Sequence, residues 1–441
     1  MSAAAVAAEV ETPRDRAGVG AVYRVEIAKI RAQLLPRVAA VICVVAPLAF
    51  VIFINTQSAV PADSLFGRWV QSSGFATPFI MLGFAGIAGF PLIASVVAGD
   101  IFASEDRQST WKTVLTRSCS RGQIFVGKTL AAMTFSVAMV ALLGASSTIA
   151  GMLVVGRQPL VGLSGQLLGE SHAIRLIVES YAIALVPTLG FTCLAILFSV
   201  TTRNSMAGVI GAPVVALLMV GLGLMGSGVV VRSMLLTSPF EAWHGLQVTP
   251  STTKALWIGL LVSLAYGTLS LAAAWRSFRR RDFAGDGQAP FRWSTVGRAV
   301  VATVVLAALL LVGTVLNKTW ITSSHLEASV SETLSNLIVV QQQILGRELD
   351  PSSVKVYSYC KRESVISGVS SGPADDWTCQ AFVDGAHVSR LAADYSISVR
   401  PDGCYTADAP ASLVGPLHMK TSNGGTTINP LSAFDSCMIA P

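Results

Sequence analysis

The sequence predicts an α-helical membrane protein with a six-span core, a seventh span and a small extracytoplasmic α+β domain. Three observations carry this. The 441 residues are 52% hydrophobic and only 13% charged, with mean hydropathy +0.61, whereas soluble domains hold about 25% charged residues. The apolar residues gather in runs near the ~20 residues that cross a bilayer as helix. Charge then splits along the chain: residues 1–320 hold 24 Lys+Arg and 13 Asp+Glu (net +11), and 321–441 hold 7 and 12 (net −5), giving the overall +6.

In order, residues 1–36 form an N-terminal segment in which Val22–Pro36 mixes Val25, Ile27, Ile30 and Leu34 with Arg24, Glu26, Lys29 and Arg31. This is the pattern of an amphipathic helix lying in the membrane interface; the plainer alternative is a basic flank of the first span. The segment is too long and too mixed in charge for a cleaved signal peptide. The core, 37–276, holds spans at 37–55, 75–98, 126–155, 174–200, 205–226 and 254–275. Residues 227–253 are semi-apolar but too interrupted to cross, and suit short helices at the outer face. A linker (277–296), a seventh span (297–316) and the outer domain (317–441) complete the chain.

Orientation follows from the positive residues, which stay cytoplasmic. The N-terminal segment, the loop bearing Arg107, Lys112, Arg117, Arg121 and Lys128, the turn at Arg203, and the run from Arg276 to Arg298 fall on one side; loops 56–74, 156–173 and 227–253 hold only Arg68, Arg157 and Arg232. The N-terminus is therefore expected inside and 317–441 outside. The basic excess is explained by topology and anionic lipid, so nucleic acid is not expected as a partner. Four of seven cysteines, Cys360, Cys379, Cys404 and Cys437, lie in the outer segment and are expected to form two disulfides; three pairings are open. A zinc site there lacks CxxC spacing or clustered His, and no metal is expected.

The tail opens with helical spacing over 322–346 (Leu326, Val330, Leu334, Leu337, Leu345). Strand-like runs follow at 354–359, 378–383 and 395–400, with Pro401-Asp402-Gly403 as a turn signal. Arg175 and Glu179, spaced i,i+4 near the outer start of the fourth span, are read either as lining a substrate path or as a helix-end ion pair.

Gly122–Thr129 matches the phosphate-loop pattern G-x-x-x-x-G-K-[ST]. That loop functions between a buried strand and a helix of an α/β domain, whereas here a charged segment leads directly into a span, so no ATP site is expected and Lys128 is read as an interfacial anchor. The histidines (172, 244, 325, 387, 418) are scattered and read as surface residues. Nothing suggests catalysis.

The order of parts, an interfacial helix, two spans, a loop with Glu105, Ser109-Thr110, Leu115 and Ser120-Arg121, then Lys128 opening the third span, resembles the membrane subunit of ABC-2 type transporters over about residues 20–276. Ser109 stands where that family usually has Gly, and Ser118 where Pro is common. The resemblance implies a permease subunit of an ABC exporter. Its loop (Phe102, Glu105, Asp106, Arg107, Thr110, Trp111, Arg121) would form a coupling helix docking on a separate ATPase, with Phe102 and Trp111 as apolar anchors. It further implies a plasma-membrane location and a second permease copy or paralogue. The cargo would be hydrophobic or amphipathic (drug, natural product, peptide or lipid-linked glycan). ATP and Mg would bind the partner ATPase, with no cofactor in this chain. The competing reading is a membrane sensor whose outer domain binds a ligand.

Overall fold

The structure, a computed structural model, describes residues 18–57, 64–115, 119–224, 229–281, 283, 320–363, 371–384, 392–422 and 424–438. The expected seventh span, most of the linker, and His387 lie outside them.

The chain is mostly helical, with five helices among the described residues long and apolar enough to cross a membrane: α2 (Leu34–Asn55), α7 (Arg121–Val154), α8 (Glu170–Thr202), α9 (Ser205–Leu224) and α12 (Lys254–Arg279). It is compatible with a multi-pass membrane protein. They are preceded by α1 (Val19–Ala32). The expected second span is helical from Ala76 to Ala98, but is divided into α3 (Ala76–Phe84) and α4 (Phe90–Ala98) by a π turn at Ala85–Gly89. Such turns carry one extra residue per hydrogen-bonded ring and redirect the side chains that follow.

Local chemistry sets the helix ends. Ser120 and Gln123 form a capping box that starts α7. α8 stops where Arg203 turns left-handed (φ 54°), and Asn204 Oδ1 then accepts from the N–H groups of Met206 and Ala207 to start α9. The helix α8 is central, packing on α4, α7, α9 and α12. Short elements α5 (Ala103–Arg107) and α6 (Trp111–Leu115) lie at one end of the bundle; α10 (Val229–Met234) and α11 (His244–Gln247) lie at the other, with a small hairpin β1–β2 (Leu160–Val161, Leu167–Leu168).

The tail is a separate sheet region. Its helix α13 (Ser323–Ile344) buries Leu326, Val330, Leu334 and Leu337, the positions its sequence spacing selects. These pack on an antiparallel sheet of order β3-β4-β5-β6-β7: Lys355–Arg362, Ala374–Asp384, Ala392–Val399, Cys404–Asp408 and Ala433–Cys437. The three strands expected from the sequence are present; β6 and β7 extend the sheet beyond them. Cys360 pairs with Cys379, and Cys404 with Cys437, each between residues directly opposite on neighbouring strands.

The tail sits on the bundle end formed by the poorly basic loops. Asn336 donates to the Ser164 carbonyl at 2.8 Å, Asp435 accepts from the Phe66 N–H at 2.8 Å, Arg68 forms a two-pronged pair with Asp408, and His244 Nδ1 lies 3.5 Å from Asp402. The basic loops occupy the opposite end.

Candidate functional site

At the basic end, residues 100–115 are tied into the bundle through Glu105. Its Oε1 accepts from Lys29 of α1 at 2.8 Å and Lys128 of α7 at 3.0 Å, and its Oε2 accepts from Thr110. Lys128 also donates to the Ile101 carbonyl at 2.9 Å and pairs with Glu26 at 3.1 Å. Glu26, Glu105 and Lys128 are thus buried and matched in charge, with the half-exposed Lys29 completing the cluster from its edge, the arrangement a buried charge requires. Burial would raise the Glu105 pKa, but the Lys128 charge and the hydrogen bonds from Lys29, Thr110 and Lys128 outweigh it and bring it down to about 2.

A second tie is aromatic. Phe102 packs on Phe125 and Phe278 with centroids 5.5 Å apart in each case, and Trp111 on Phe278 and Phe283 at 5.4 and 5.1 Å. Arg281 lies over the Trp111 and Phe283 rings and forms a two-pronged pair with Asp106. Arg121 donates to the carbonyls of Arg279 and Arg281. Ser109, where the resembled family usually has Gly, adopts φ +53°, the left-handed backbone that glycine takes most readily.

These contacts correct three expectations. Phe102 and Trp111 are buried within the chain and are not free as docking anchors; Glu105, expected in the same docking loop, is buried as well. Lys128, 1% exposed, is the base of an internal ion cluster, not an interfacial anchor. The exposed edge of the loop is Arg107, Gln108, Ser109, Lys112 and Thr113. Residues 122–129 lie in the first turns of α7, so the phosphate-loop match is helical here.

At the opposite end a cavity of about 300 Å³ lies between the bundle and the tail. Its apolar wall comes from α3 and α9, including Phe79, Ile80, Phe84, Met219 and Val220. Its polar rim comes from the stretch running from α10 to α11 and from the tail: Arg232, Glu241, His244, Arg400 and Asp402. The π turn sits beside it, and Phe240 wedges against Gly86, Phe90 and Phe191. Arg232 pairs with Glu241. Asp402 is held well below the usual carboxylate range: burial opposes this, but His244, Arg400 and Arg232 outweigh it.

His244 is buried, contrary to its reading as a surface residue. Its ring nitrogen and the sulfurs of Cys404 and Cys437 lie within 4.8 Å of one another. Those sulfurs are joined in a disulfide, and a metal binds thiolate. Arg175 and Glu179 form an exposed pair at 3.8 Å on α8 and are not among the residues lining this cavity.

Sequence reasoning missed the pairing of Glu105 with Lys29 and Lys128, and the rim residues Arg400 and Asp402. For Lys128 a signal existed, since a lysine two turns inside an apolar helix needs a partner. For Asp402, a turn residue 158 positions from His244, nothing in the local pattern pointed inward.

No curated protein matches the chain. A family model described as "Protein of unknown function (DUF2705)" matches residues 40–284, from within α2 through the end of α12, and leaves the tail outside the match. The match spans more than half of the 441 residues, and the chain belongs to the DUF2705 family.

Proposed function

We propose that the chain is the membrane subunit of an ABC-2 type exporter in the cell membrane, moving a hydrophobic or amphipathic substrate outward with a separate ATPase. Its basic end faces the cytoplasm and its tail faces out. Six helical crossings form the core, counting the interrupted Ala76–Ala98 as one. The seventh crossing expected at 297–316 belongs to this proposal and lies outside the described residues.

The observation that carries this reading is the construction of the loop 100–115. One edge is polar and exposed, while Glu105, Asp106, Phe102 and Trp111 fix the loop rigidly to α1, α7 and the end of α12. A force applied to that edge passes directly into three helices, which is what coupling ATP hydrolysis to a membrane path requires. A second permease, identical or paralogous, completes the path, and ATP and Mg bind the partner.

The test is co-purification of the chain with its ATPase from native membranes, followed by ATP turnover in reconstituted vesicles. The expected result is a stable complex whose turnover needs this chain. Recovery of the folded chain bound to a kinase or regulator, with no ATPase, would instead support a sensor whose ligand enters the cavity between bundle and tail.

A further inference from the structure

We infer that the cavity between the bundle and the tail binds an amphiphile whose head carries both an anion and a hydrogen-bond donor. This rests on the permease reading only for the ligand's fate, not for its binding. Three features lead to it. The wall from α3 and α9 is apolar, with Phe79, Ile80, Phe84, Met219 and Val220 facing the space. Phe84 is 55% exposed at the bundle surface, so an alkyl chain seated on this wall leaves past it toward hydrocarbon. The volume of about 300 Å³ lies at the small end for ligand sites and fits a head group with the first part of a chain.

The rim selects the head. Glu241 is taken by Arg232. Among the described residues Arg400 forms no ion pair, although Asp402 and Asp435 lie close enough to feel its charge. Its guanidinium offers planar donors to a phosphate or carboxylate. Beside it, Asp402 Oδ1 accepts from the Cys404 N–H at 3.0 Å, but the buried Oδ2 has no hydrogen-bond partner among the described residues, His244 standing off at 3.5 Å. A buried carboxylate oxygen left unmatched is costly, and an N–H or O–H from a ligand head satisfies it. Cation and acceptor both come from the turn Arg400–Gly403, so one head group meets both at once.

Phosphoethanolamine-type heads have this chemistry, and they occur both in resident membrane lipid and in exported amphiphiles. The experiment uses the full chain in phosphatidylcholine nanodiscs and a dodecylphosphoethanolamine probe with a photoactivatable diazirine in its chain. Irradiation and peptide mapping are expected to place adducts on residues 79–84 and 219–223. Unlabelled dodecylphosphoethanolamine should compete at least tenfold better than dodecylphosphocholine, which lacks the donor, and better still than dodecyltrimethylammonium, which lacks the anion. Arg400→Gln should cut adduct yield at least fivefold and Arg347→Gln, at an exposed site away from the cavity, should not. Val220→Trp, which fills the apolar wall and leaves the rim intact, should also remove the adducts; intact disulfides and monodisperse elution establish folding of each variant. Adducts elsewhere, equal competition by all three amphiphiles, or full yield from folded Arg400→Gln overturns the inference. Adding the ATPase and ATP·Mg separates the sources: stimulated turnover and loss of bound probe identify cargo, and retained probe identifies resident lipid, the site standing in both. If no ATPase binds while the adducts persist, the permease reading fails and the site remains.

Discussion

Glu105 and Lys128 meet at 3.0 Å inside the basic end of the bundle, one from a loop and the other from the long apolar helix α7. Lys29 from α1 reaches the same carboxylate oxygen, so three separate segments share one ion cluster. The buried charges of Glu26, Glu105 and Lys128 are tolerated only because they are matched.

Lys128→Met is therefore expected to destabilise the chain by about 3–5 kcal/mol, because Glu26 and Glu105 are left with Lys29 alone. Adding Glu26→Gln should recover part of that loss. The lowered Glu105 pKa has a defined sign: its stabilisation is complete above the unfolded value near 4.3 and fades as pH falls toward about 2. Thermal unfolding in detergent checks both, and an unchanged midpoint for Lys128→Met would show the cluster to be energetically idle.

Gly99 and Gly208 form a second close relationship, between the end of α4 and the start of α9. A methyl built on either one overlaps the backbone of the other. Gly99→Ala and Gly208→Ala should each cost about 1–3 kcal/mol through forced separation of the helices. Gly221→Ala, whose added methyl meets nothing within 4 Å, should instead be neutral or gain about 1 kcal/mol. Equal midpoints for all three would remove the packing argument.

How far the sequence foretold this depends on the range of the signal. Periodicity and length located the helices around 37–55, 126–155, 174–200, 205–226 and 254–275, since burial patterns repeat over a few residues. Leu326, Val330, Leu334 and Leu337 fall on the buried face of α13 for the same reason. The break at Ala85–Gly89 was invisible, because a π turn leaves composition unchanged. The loop was read as exposed on its charge, yet Glu105, Asp106 and Lys128 are satisfied by partners 76, 175 and 23 residues away. Only the folded chain shows which charges meet.

Both disulfides are buried between neighbouring strands. They are expected to resist mild reductant in the native state and to yield once the tail unfolds. Replacing Cys404 and Cys437 by Ser should cost about 2–5 kcal/mol and loosen the turn that bears Arg400 and Asp402. Differential alkylation read by mass spectrometry checks this; rapid reduction of the folded protein would contradict the burial.

Asp435 gives the tail a pH dependence. Burial pushes its carboxyl up to about 7, against the nearby Arg68 and the Phe66 N–H. A folded pKa above the unfolded value of about 3.9 means stability is fully present at low pH and falls as pH rises toward 7. The tail should thus melt lower at pH 8 than at pH 5, and Asp435→Asn should flatten that difference. A steeper slope in Asp435→Asn would assign the effect to another group.

The loop at the basic end separates holding from docking. Trp111 is 5% exposed and packed among Phe102, Phe278 and Phe283, so Trp111→Ala should lose about 3–5 kcal/mol of stability as a core truncation. Lys112, its exposed neighbour, should behave oppositely. Lys112→Glu is expected to shift stability by no more than about 0.5 kcal/mol, yet to slow association with the proposed ATPase partner and alter its salt dependence, as a rim charge does. Reversing Arg107 as well should deepen the kinetic effect, because both side chains lie on the same exposed edge. Thermal unfolding paired with association rates at low and high salt distinguishes the two roles. A stable Trp111→Ala that no longer binds the ATPase would return the tryptophan to the surface, and unchanged association by the doubly reversed, folded chain would move docking away from this loop.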